Sequence, residues 1–150
     1  MYREEVKFFM DVENPYYNQN HTREEIESIL GIIKTCIVEG KYSISMNSKR
    51  QDNIDFRDEY NITSSRAERI LLQITTDDFC HTLQNNHKGY EHEILYVFAP
   101  HVEVYNILGH KEALCIYVKF NIIPQDDDVI TVVISFHKLN KAIEYAFRND

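Results

Sequence analysis

Two runs late in the chain, residues 114–120 (LCIYVKF) and 131–138 (TVVISFHK), alternate their side chains with a period of two, and that pattern demands a sheet with one face buried. Leu114, Ile116, Val118, Phe120 and Ile122 share one side of the first run, with Cys115, Tyr117, Lys119, Asn121 and Ile123 on the other. In the second run Ile130, Val132, Ile134 and Phe136 make the apolar row, against Thr131, Val133, Ser135 and His137. A turn over residues 124–128 predicts an antiparallel hairpin in which Ile123 faces Val129, Tyr117 faces Ser135 and Cys115 faces His137. Tyr117, Lys119, Ser135 and His137 then occupy one surface, and a two-residue shift of register would keep them together.

The hairpin needs elements to cover it, and the preceding sequence supplies helices. Thr22 followed by Glu25 is a capping box, after which Ile26, Ile29, Leu30, Ile33 and Ile37 recur at helical spacing until Gly40. Tyr42, Ile44 and Met46 alternate as a short strand that the polar residues 47–53 cannot continue. A short helix is expected over residues 54–60, and Ser65 with Glu68 reads as a second capping box for a helix through Gln73. Residues 75–93 are polar and read as one turn of helix followed by an irregular loop. Residues 94–98 begin the sheet, and Pro100 closes that strand. Leu139, Ala142, Ile143, Ala146 and Phe147 predict a C-terminal amphipathic helix. Residues 2–10 read as a short helix, and residues 1–20 as an N-terminal extension to a single domain over residues 21–150. Helices first and strands late give an α+β class, N-terminal helices packed on a small antiparallel sheet with an added C-terminal helix.

At 150 residues and 43% hydrophobic content the chain can fill one core. No apolar run approaches a bilayer span, and the charged, aromatic residues 1–10 do not resemble a signal peptide. Three cysteines without metal-type spacing fit reduced, buried thiols, so a soluble cytoplasmic protein is expected. The formal net charge of -8 argues against broad nucleic-acid binding, leaves room for a local basic pocket, and suits a basic protein partner.

Phosphate-binding glycine loops, hydrolase elbows and zinc-protease helices are absent from the sequence, which removes the commonest nucleotide, esterase and protease readings. His81, His87 and His92 match no compact ligand spacing and read as solvated loop residues, so neither a metal nor a cofactor is expected. Asp126, Asp127 and Asp128 read as a solvated turn. What remains is the Tyr117, Lys119, Ser135 and His137 surface, with Arg66 and Arg69 as candidates to join it. Cleaving RNA through its 2′-hydroxyl needs a base, an acid for the departing 5′-oxygen and a cation beside the phosphorus, and these residue types can meet those needs. The same residues are also ordinary on the wet face of a sheet.

The order of EGKY (from Glu39), LLQITTDDF (from Leu71), LYVFAP (from Leu95), IYVKF (from Ile116) and VVISFHK (from Val132) resembles the MqsR family of toxins from type II toxin–antitoxin systems. The similarity spans residues 22–138. It implies a RelE-like fold, an mRNA endonuclease (mRNA interferase) activity, RNA binding, and neutralisation by a cognate antitoxin protein. Carried over by motif, the family's lysine after D-F-Y falls on His81, its strand tyrosine on Tyr117 with Lys119 two further on, and its lysine after S-F on His137. The glutamine of the family's W-Q-D-x-Y stretch has no counterpart, and Ala99 stands where an arginine precedes the proline. An alternative from another class is a non-catalytic acidic protein-binding module, an inhibitor or accessory subunit, built on the same fold.

Overall fold

The computed structural model describes residues 17–85 and 87–148. The expected helix over residues 2–10 lies outside them. Helix α1, Arg23–Val38, starts on the capping box, with Glu25 N–H donating to Thr22 Oγ1 at 3.1 Å and Thr22 N–H to Glu25 Oε1 at 3.0 Å. Its buried stripe is Ile26, Leu30, Ile33 and Ile37, and the chain leaves it through Gly40 at φ 74°. Strand β1, Tyr42–Ile44, follows as expected. A 3-10 turn, Ser48–Arg50, then leads into α2, Gln51–Glu59. Helix α3, Ser64–Leu72, begins two residues earlier than the Ser65–Glu68 box suggested, because Thr63 is the cap and accepts from Arg66 N–H at 3.3 Å.

Among the described residues the sheet has six strands: β1, β2 (Phe79–Gln84), β3 (Ile94–Phe98), β4 (His101–Tyr105), β5 (Lys111–Gln125) and β6 (Asp128–Lys138). Their order is β1-β6-β5-β3-β2, and β4 pairs the first third of β5. The sheet is mixed rather than antiparallel, since β1 runs parallel to β6. It also starts earlier than expected. Residues 79–84, read as part of a loop, form β2, whose Cys80, His81 and Thr82 look polar in sequence yet are all buried.

All three helices cover one face, where Phe56, Phe79, Phe98, Phe120 and Phe136 meet the α1 stripe in the main core. The opposite face carries a second cluster of Cys80, Leu83, Leu95, Val97, Ala99 and Tyr117. Residues 139–148 cover this second face as a non-helical strap, in place of the expected C-terminal helix. The strap spends its backbone groups on the sheet: Leu139 N–H donates to Cys115 O and Ala146 N–H to Phe79 O, each at 3.0 Å. Leu139, Ile143 and Tyr145 pack on the second cluster while Ala146 and Phe147 reach round to the main core, a two-sided burial that a single helical face does not supply.

The β5–β6 hairpin turns on Asp126 and Asp127 alone, with Asp126 at φ 54°. Ile123 therefore faces Ile130 rather than Val129. A bulge then places Lys119 opposite Ser135 and Phe120 opposite Val133, leaving Ile134 as the extra residue. Beyond it Tyr117 faces His137, two residues from the expected pairing. The bulge also reverses the expected alternation of β6: Thr131 and Val133 are buried alongside Phe136, whereas Ile134 packs toward the strap.

Candidate functional site

The face under the strap collects most of the chemistry read from the sequence. His81, Val97, Lys119 and Ser135 are partners across four consecutive strands, and side chains so paired point to one side of a sheet. Tyr117 and His137 form the neighbouring row, their rings stacked at 5.5 Å with an interplanar angle of 21°. His137 Nδ1 lies 2.8 Å from the Lys138 carbonyl oxygen. A carbonyl only accepts, so Nδ1 carries the proton and neutral His137 keeps its lone pair on Nε2.

Lys119 is mostly buried, and burial, reinforced by the charges of Arg50 and Lys141, lowers its pKa to about 8. These two cations come from elements that the sequence did not connect with the hairpin. Arg50 ends the 3-10 turn before α2, and Lys141 lies on the strap with Nζ 5.3 Å from the centroid of the Tyr117 ring. Lys49, Arg50, Gln51, Asp52, Asn53 and His137 enclose a cavity of about 160 Å³. Among the described residues no carboxylate lies within ion-pair distance of Lys49, Arg50 or Lys119. Lys138, by contrast, pairs with Glu59 at 3.0 Å on the helix side.

Asn53 fixes this arrangement. Its amide is 1% exposed, and its Nδ2 donates to Ser45 O at 2.8 Å and Ile134 O at 3.0 Å, while its Oδ1 accepts from Phe136 N–H at 2.8 Å. One side chain thus satisfies the backbone at the β6 bulge and holds the cationic turn beside His137. The signal was present in the run SKRQDN, which breaks β1 and places two cations three to four residues ahead of a short polar amide.

His81 shares the row but not the access. It is 1% exposed and lies under Tyr17, whose ring centroid is 4.4 Å from its own. Ser135 is buried as well. Arg66 and Arg69 do not join the face: they lie on α3, on the helix side of the sheet, beside a separate cavity lined by Tyr60, Ile62, Gln73 and Tyr105. The remaining histidines of the expected loop, His87 and His92, are exposed and apart from His81, and among the described residues no cluster of three metal-ligating side chains occurs. Burial pushes the Cys80 and Cys115 thiols up, which leaves them poor nucleophiles near neutral pH. No helix among the described residues is long and apolar enough to cross a membrane. Comparison with models of known families, with curated proteins and with solved structures finds no match for the chain.

Proposed function

We propose that this face binds RNA and cleaves it by metal-independent acid–base chemistry, and that the protein is a toxin of a toxin–antitoxin pair, as its resemblance to the MqsR family implies. The observation that carries the reading is the gathering of Lys49, Arg50, Lys119 and Lys141 around His137 and Tyr117, in a chain whose net charge is -8. Phosphodiester ligands favour such a cluster, and the acidic balance of the rest of the chain keeps other surfaces from competing for them.

In this mechanism the 2′-oxygen attacks the adjacent phosphorus and its proton passes to Nε2 of His137. The bond from phosphorus to the 5′-oxygen breaks, and the leaving oxygen takes a proton from the Lys119 ammonium, which its lowered pKa makes a competent acid. A 2′,3′-cyclic phosphate and a 5′-hydroxyl result. Arg50 and Lys141 stabilise charge on the non-bridging oxygens, and the buried Tyr117 ring orients His137 by stacking on it. His81, buried beneath Tyr17, serves the sheet rather than the proton transfers.

The test incubates the purified protein with a defined RNA in the presence of a chelator and resolves the product ends. Cleavage with cyclic-phosphate termini is expected, reduced by about 10²-fold or more in His137→Ala and in Lys119→Ala. Expression of the wild type is expected to arrest growth, and each variant to relieve the arrest with its folded-state circular dichroism intact. Intact RNA in the wild-type reaction, or undiminished cleavage in both variants, would overturn the assignment.

A further inference from the structure

The β4–β5 ribbon touches the strap at its His101–Cys115 end and offers a second surface beyond it, on the side of the sheet opposite the candidate face. Strand β4 pairs β5 along one edge only, and among the described residues no strand occupies its outer edge. A cavity of about 200 Å³ runs there, lined by Arg66 and Arg69 of α3, by Gln73 at its C-terminal cap and by Glu103, Val104 and Tyr105. These last three are consecutive, so their side chains alternate between faces, and a cavity that touches all three lies along the strand's edge. The helix therefore flanks a row of backbone donors and acceptors that no described strand pairs. At the tip Tyr105, Ile107 and Leu108 are 57%, 75% and 74% exposed, a group of apolar side chains at the end of the same edge.

The charges say what fits. Arg69 has no carboxylate within ion-pair distance among the described residues, and Arg66 spends one N–H on the Asn61 carbonyl at 2.9 Å. The one acidic residue lining the groove, Glu103, already faces Lys111 at 3.9 Å. The groove is thus a cationic wall beside a strand edge that no described strand occupies, in an otherwise acidic chain. From this we infer that the outer edge of β4 accepts an extended, acidic segment of a partner protein as an added strand, with alternate carboxylates meeting Arg66 and Arg69 and apolar residues meeting Tyr105 and Ile107. Two copies of this chain do not suit the site, because pairing β4 with β4 about a two-fold axis normal to the sheet brings both α3 helices to the same side and their arginines toward each other.

The experiment uses the full chain, labelled for amide and arginine side-chain NMR, titrated with two blocked peptides, Val-Glu-Val-Glu-Val and Val-Lys-Val-Lys-Val. The glutamate peptide is expected to shift the β4 amides and the Arg66 and Arg69 side-chain signals, and to bind at least tenfold tighter than the lysine peptide. Both arginines are exposed, so the double variant Arg66→Glu/Arg69→Glu keeps its core, and it is expected to reverse the preference. Shifts that fall elsewhere, a preference that survives the charge reversal, or protection of β4 amides that rises with protein concentration without peptide would each overturn the inference.

Discussion

At the scale of the residue, Lys119 joins stability to chemistry. Its pKa lies below the ordinary lysine value, so the folded state disfavours the charge that the unfolded chain accepts freely. Between pH 8 and the ordinary lysine range the unfolded chain binds more protons than the folded one, and stability rises with pH across that window. Lys119→Met, which keeps the stem and removes the charge, is therefore expected to stabilise the fold by roughly 1–3 kcal/mol below pH 8. That gain shrinks as the pH rises through the window, and denaturant melts at pH 7 and pH 10 measure the difference. The proposed cleavage is expected to have the opposite dependence: with a proton donor whose pKa is about 8, the rate falls as pH rises past that value. In Lys119→Arg the residual rate loses this alkaline limb, because a guanidinium keeps its proton throughout. Tyr117, Lys119, Ser135 and His137 could be placed on one surface from alternation alone, since a slip of two residues leaves the face unchanged. The burial of His81 could not, because it depends on Tyr17, a residue 64 positions away that no local pattern links to it.

At the scale of the element, the β6 bulge and the turn before α2 act as one unit through Asn53. Asn53→Ala leaves Phe136 N–H without its acceptor inside the core, which is expected to cost about 1–3 kcal/mol and to lower cleavage at temperatures where the protein is still folded. Guanidinium melts and a rate measured well below the transition separate the two effects. Asn53→Leu retains bulk and loses the bonds, so it is expected to fare no better. Capped, amphipathic elements such as α1 could be read from sequence, because their signals are local: Thr22, Glu25 and a 3.6-residue stripe. Strand β2 and the strap were misread for a shared reason. Each is defined by what it packs against on both sides, and Cys80, His81 and Thr82 in one, or Ala146 and Phe147 in the other, carry no periodicity that announces it.

At the scale of the whole molecule, a charge of -8 and a local group of four cations make opposite contributions to RNA binding. Affinity for a single-stranded RNA is expected to fall with salt at a log–log slope of about −2 to −3, since each phosphate contact contributes roughly 0.7. Fluorescence anisotropy across 50–300 mM salt measures it, and Lys141→Glu is expected to flatten the slope by about one contact or more. The ends of the described chain also meet. Gln19 Nε2 donates to Cys80 O at 3.0 Å and to Glu144 O at 3.1 Å, the second across 125 positions, and Asn18 bridges Thr82 on the outer edge of β2. Lys141 and Tyr145 follow every described strand, so a chain that ends before residue 139 carries the residues of the helices and the hairpin but neither the clasp nor the full cation cluster. The last cation of the proposed RNA-binding group is therefore delivered by the strap, and it is in place only when the strap closes on the sheet.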